Sequence, residues 1–205
     1  MLKKLANLVA ANFVYWHFSK VWLYIAAHKH SARNRAMFLL TTNCGLRAKE
    51  VAALRLCDVL TVEGKIREEF FLSAEKTKGS KGRTIYLSQK IQEELHNYLS
   101  SRFKLTDLLA VTYTDTNRAL FASQKNSNRG FSPSTLAQHF HYLYKNAKVD
   151  GASSHSGRRG FITNLANKGV SVRLLMELVG HSSMSVTQKY IDVNPKMLRA
   201  SVELL

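Results

Sequence analysis

The chain has 205 residues, 45% of them hydrophobic, enough to bury one sizeable core but not two full domains. Thirty Lys and Arg against 14 Asp and Glu give a formal charge of +16, far beyond what solubility asks, which implies a polyanionic partner, most commonly nucleic acid. No run is apolar enough to span a membrane, and the two cysteines, Cys44 and Cys57, sit among apolar neighbours as reduced, packed thiols instead of a disulfide or metal framework.

The opening MLKKLANLVAANFVYWHF begins like a secretory signal, but Asn7 and Asn12 interrupt its apolar run and no small-residue cleavage pattern follows. It reads as an amphipathic or partly buried helix, and residues 1–20 are set apart from a single domain over 21–205. Helical periodicity then covers Val21 to His28, Arg33 to Thr42, and a segment from Ala48 that holds Val51, Leu54 and Leu56. Near Gly64 the pattern changes: Glu69 to Ser73 and Arg83 to Leu87 read as short strands, with the Lys- and Gly-rich AEKTKGSKG between them as a hairpin loop. Helix returns from Ser88, a candidate N-cap, to Leu99, and again from Ser134 to Lys148. The last third is a run of short helices, His155 to Asn167, Ser171 to Val179 and Ser183 to Tyr190. Asn194-Pro195 then opens a terminal helix carrying Met197, Leu198, Val202 and Leu205. The fold class is mostly α with one small antiparallel sheet.

Four constellations could carry chemistry. In GLRAKE, Arg47 precedes Glu50 by three residues; this is an ordinary intrahelical ion pair, or a guanidinium pinned by a carboxylate so that it presents a fixed fork to a phosphate. The hairpin carries Lys76, Lys78, Lys81 and Arg83, which serve solubility or reach a leaving oxygen. In HSGRRG, His155 and Arg158 share a helical face, so that one anion could touch both. Finally, GHSSMSVTQKY sets His181 nine residues before Tyr190. No DxD-like cluster of carboxylates suits a two-metal site, no GxxxxGK[ST] loop suits nucleotide hydrolysis, and His139 and His141 point apart on a helix as surface residues.

Taken in order, GLRxxE, a basic hairpin, HxxR, GH and a tyrosine nine residues on resemble the tyrosine recombinase or phage integrase family over roughly residues 20 to 195. The resemblance implies the catalytic-domain fold of DNA breaking-rejoining enzymes and a metal-independent site-specific recombinase that needs no cofactor. Carried over by position, Tyr190 is the nucleophile that forms a 3′-phosphotyrosyl link, and Arg47 and Arg158 clamp the non-bridging oxygens. His155 assists as base or donor, His181 holds the phosphate, and Lys78 is the general acid, with Lys76 as runner-up. Glu50 orients Arg47; Lys76, Lys81, Arg83 and Arg159 are expected DNA contacts.

The resemblance also implies double-stranded DNA as partner, a homotetramer on two DNA sites built from a chain that can be monomeric when free, and a cytoplasmic location at the nucleoid. Two departures stand out. Arg159-Gly160 follows HxxR where larger or hydroxyl residues are usual. The segment before the core is also too short for the family's additional N-terminal DNA-binding domain, so the chain resembles short, catalytic-domain-only members or a truncated form. A DNA-binding remnant without recombination, and type IB topoisomerase-like relaxation, are the alternative readings.

Overall fold

The structure is a computed structural model and describes residues 17–77, 81–104, 106–108, 115, 117–123, 129–191, 198–199 and 202–203. Residues 17–26 form helix α1, and a turn leads into α2 (Ser31–Asn43). Helix α2 is the centre of the fold: Ala36, Met37, Phe38, Leu39 and Leu40 are all buried, so it has no solvent face to speak of. Its polar residues are paired. Arg33 Nη1 donates to the Ala122 carbonyl at 3.1 Å, and Asn34 Oδ1 lies 3.0 Å from His139 Nε2. His139 is therefore half-buried and tied to the core, not a surface residue as its spacing suggested; burial, then Arg33, depresses its pKa to about 4. His141 is exposed.

The apolar segment from Ala48 is two helices instead of one, α3 (Ala48–Ala53) and α4 (Leu56–Val59). Between them Leu54 and Arg55 are extended, because Leu120 N donates to Leu54 O at 3.0 Å and Leu56 N to Arg118 O at 2.9 Å. This distant bridge outweighs local helical preference. Asp58 secures the restart of helix by accepting from Arg55 N at 2.7 Å.

Strands β1 (Glu69–Leu72) and β2 (Arg83–Tyr86) pair antiparallel, with Phe70 opposite Ile85 and Leu72 opposite Arg83. Phe70, Leu72, Arg83 and Ile85 face inward; Phe71 and Tyr86 face outward. Helix α5 (Gln89–Arg102) packs on α2, its N-cap Ser88 making no side-chain cap bond. Helix α6 (Pro133–Asn146) starts one residue before its expected position, with proline at the first turn and Ser132 Oγ accepting from Thr135 N at 3.1 Å.

The short helices α7 (Ser156–Asn167), α8 (Val172–Val179) and α9 (Met184–Gln188) follow. Helix α7 lies on α2 at Gly157, where a Cβ would stand 2.4 Å from Thr41 Oγ1. Ile162, Ala166, Leu175 and Val179 form a second, smaller core between α7 and α8, apart from the main core around α2. Cys44 is buried, as expected, but Cys57 is exposed on α4. Residues 1–16 of the signal-like opening lie outside the described residues, as does most of the expected terminal helix, of which Leu198 and Val202 are described and exposed. Among the described residues no helix is long and apolar enough to cross a membrane.

Candidate active site

Four separate stretches of sequence meet at one place. After α2 the chain turns sharply at Gly45, whose φ is +67°. A Cβ there would stand 2.6 Å from Phe161 Cδ1, so backbone and packing both ask for glycine. Arg47 then caps α3, and Glu50, at the third helical position, reaches back to accept from Arg47 N at 2.8 Å and from Arg47 Nη1 at 2.9 Å. Glu50 is fully buried. Burial alone would raise its carboxyl pKa, but the Arg83 guanidinium, then the backbone N–H and the charge of Arg47, outweigh that and hold it below the ordinary carboxylate range.

Arg83 is that second partner, donating from Nη1 to Glu50 Oε1 at 3.0 Å and from Nη2 to Oε2 at 2.8 Å. This corrects its expected role as a DNA contact on an exposed hairpin: it is 8% exposed, because strand alternation turns it inward with Ile85. Lys76 is also committed within the protein, its Nζ donating to both Asp58 oxygens at 2.6 and 2.7 Å. Lys81 is exposed, and its carbonyl accepts from the buried Thr77 Oγ1 at 3.2 Å. Lys78 lies outside the described residues.

His155 caps α7 and is exposed at its start, and Arg158 follows one turn later in the interior. The Arg158 guanidinium donates from Nη1 to Gly45 O at 2.6 Å and from Nη2 to Val179 O at 2.5 Å. It thus ties the exit of α2 to the end of α8. Burial, then repulsion from Arg47, lowers its pKa to about 9, with Glu50 opposing. Arg159 is exposed beside a cavity of about 520 Å³ that Phe18, Tyr144, Phe161 and Lys168 also line; none of Arg47, Arg158, His181 or Tyr190 lines it.

Helix α8 ends at Gly180 in the left-handed conformation, with His181 N donating to Met176 O at 3.0 Å. This cap delivers His181 beside the Val179 carbonyl that Arg158 holds. His181 Nδ1 lies 2.8 Å from Oγ1 of the buried Thr187, and its ring stacks near Tyr190, centroids 6.3 Å apart. Burial, then Arg158, Arg47 and Arg83, lowers the His181 pKa to about 4, so the imidazole is neutral at pH 7. Tyr190 is half-buried in the turn after α9 and packs on the second core; its carbonyl accepts from Thr163 Oγ1 at 3.3 Å.

Sequence reading missed Arg83 as the Glu50 partner and missed Thr187. The alternation of Arg83, Ile85 and Leu87 carried the first signal; nothing local distinguished Thr187 from its neighbours. Two guanidiniums on the Glu50 carboxylate and a third, Arg158, held on the Gly45 and Val179 carbonyls make a positive centre suited to an anion with several oxygens. Among the described residues no three His, Cys, Asp or Glu side chains gather as a metal site.

The sequence profile of the phage integrase family matches residues 19–197. The chain belongs to the phage integrase family. Among curated relatives, tyrosine recombinase XerA of Pyrococcus furiosus is 31% identical over 85% of this chain and 55% of its own length. Tyrosine recombinase XerC of Myxococcus xanthus is 31% identical over 82% of this chain and 52% of its own. This phage integrase family chain therefore spans about half the length of the relatives it matches. In fold it resembles the crystal structure of XerA recombinase, with a TM-score of 0.67 at 23% identity over 91% of this chain and 62% of that one. It also resembles the Tn1549 transposon integrase in complex with a circular intermediate DNA, with a TM-score of 0.69 at 20% identity over 91% and 63%.

Proposed function

We propose that this chain is the catalytic module, residues 21–205, of a site-specific DNA recombinase or integrase. The observation that carries the reading is Arg158. Through Gly45 O and Val179 O it gathers the segments bearing Arg47 and His181 at one positive centre, with the Tyr190 ring beside His181. Arg47 and Arg158 neutralise the charge that grows on the non-bridging oxygens of a DNA phosphodiester in a five-coordinate transition state. Tyr190 Oη attacks the phosphorus as the bond to the 5′-oxygen breaks. The phenol proton passes to His155, and Lys78 donates a proton to the departing 5′-oxygen. The new phosphotyrosyl ester preserves the energy of the broken bond, so attack by a 5′-hydroxyl reverses the step without a cofactor. His181 is neutral, with Nδ1 2.8 Å from Thr187 Oγ1; in the tautomer that carries its hydrogen on Nε2, that nitrogen donates to the phosphate. The partner is double-stranded DNA, approached by Lys81 and Arg159, and strand exchange takes four protomers on two sites.

A selection from random sequence tests the reading and recovers the target at the same time. Nicked duplexes with a randomised centre are incubated with the protein, DNA covalently joined to it is recovered, and its sequence is read. Enrichment of one site, with loss of the adduct in Tyr190→Phe, is expected. An adduct that persists in Tyr190→Phe defeats the proposal. Relaxation of plasmids lacking the recovered site points to topoisomerase action instead, and specific binding without any adduct to a non-catalytic DNA-binding module.

A further inference from the structure

Arg83 is placed unlike a surface hairpin arginine. It begins β2 in phase with Ile85, so its side chain enters the protein, where 6% of it is exposed. Its two terminal nitrogens grip the two oxygens of Glu50, a carboxylate with no exposure of its own. Each Glu50 oxygen also takes one bond from Arg47, Oε1 from the guanidinium and Oε2 from the backbone. The carboxylate's acceptor capacity is filled, and its position is fixed from two sides. Arg47 commits a single guanidinium nitrogen to this contact, and its side chain is 22% exposed, so its fork is aimed outward from a held base.

The aliphatic arm of Arg83 meets a second part of the site. A Cβ on Gly180 would lie 2.9 Å from Arg83 Cδ, so the left-handed cap that delivers His181 rests on this arm. Arg83 Nε is meanwhile buried without a partner. What the site uses is the planar fork and the arm behind it.

We infer that Arg83 is a positioning residue of the cleavage centre, aiming Arg47 through Glu50 and seating Gly180 and His181 on its arm. This rests on the recombinase reading of Tyr190. Lysine keeps the charge but offers a point donor in place of the fork. With the duplex recovered in the selection above, Arg83→Lys is expected to slow adduct formation at saturating protein by about 10- to 100-fold. Non-covalent affinity and its salt dependence, measured in a Tyr190→Phe background, stay unchanged. Because the effect runs chiefly through Arg47, the double variant Arg47→Ala/Arg83→Lys is expected to be little slower than Arg47→Ala.

Wild-type rates in Arg83→Lys overturn the inference, as do losses that multiply in full in the double variant. A weaker affinity whose log-log salt slope falls by about 0.9 also overturns it, by making Arg83 a phosphate contact. If circular dichroism shows Arg83→Lys unfolded, Arg83→Gln is measured in the same way; unfolding of both makes Arg83 a stability residue and rejects the positioning role. Failure of the underlying reading is visible separately, as an adduct that Tyr190→Phe still forms, and removes this inference with it.

Discussion

Arg158 donates to the Gly45 carbonyl at 2.6 Å across 113 residues of sequence, joining the two arginine-bearing segments of the site. Its second bond, to Val179 O, brings in the turn before His181. Lysine at this position offers one point donor in place of the planar fork whose two separate nitrogens reach the two carbonyls. Arg158→Lys is expected to slow adduct formation by about 10²- to 10³-fold, in the range for losing one preorganised donor to a transition-state oxyanion. Single-turnover quench measurements at saturating protein read the rate, and a loss below about threefold rejects the clamp.

How much of this was legible depends on where each residue's partners lie. Arg47, Glu50, His155, Arg158, His181 and Tyr190 could be singled out because their order and spacing survive in one dimension. Helices α1, α2 and α5 to α9 followed from apolar periodicity and capping residues, and the paired strands from short apolar runs on either side of a Lys- and Gly-rich loop. Arg83 was misjudged because a Lys- and Gly-rich loop suggested exposure, while the alternation through Ile85 and Leu87 pointed inward. His139 was misjudged because its partner, Asn34, is 105 residues away. The break between α3 and α4 has the same cause, a bridge from Arg55 to Ala119 that no local propensity encodes. The carbonyls that hold Arg158 leave no sequence signal at all, since any residue supplies one.

Gly157 sets the distance between α2 and α7. A Cβ there would lie 2.4 Å from Thr41 Oγ1 and 2.9 Å from Thr41 Cβ, so Gly157→Ala must push the helices apart. The expected cost is about 1–3 kcal/mol, read from urea unfolding. Adding Thr41→Ala, which removes the nearest atom, restores part of it. Because α7 carries Arg158 to the Gly45 carbonyl, adduct formation should slow as well. Unchanged stability in Gly157→Ala would show that the helices can part freely.

The histidines predict how stability follows pH. His139 and His181 titrate near 6.5 when unfolded and near 4 when folded, so between those values the unfolded chain binds the extra protons. Stability contributed by keeping them neutral is complete above pH 6.5 and is lost as pH falls toward 4. Urea midpoints at pH 7.5, 5.5 and 4.5 should decline in that order, and His139→Gln should flatten the decline. Imidazole resonances followed by NMR should place the His181 titration near pH 4. A midpoint near 6.5 would mean that its ring is not shielded beside Arg158.

The general acid can be identified by changing the leaving atom. An alkoxide needs a proton to depart, whereas a thiolate, whose conjugate acid has a reference pKa of about 8.5, leaves without one. Lys78→Ala is therefore expected to lose about 10²- to 10⁴-fold in adduct formation on ordinary DNA, and to recover on a duplex with sulfur at the 5′-bridging position. Lys76 is held by Asp58 at 2.6 Å, so Lys76→Ala should fall less and equally on both substrates, as a residue that supports the base of the hairpin. The two outcomes separate the lysines cleanly. If sulfur rescues Lys76→Ala and leaves Lys78→Ala inactive, the proton comes from Lys76, and the Asp58 pair must open for it to reach the DNA.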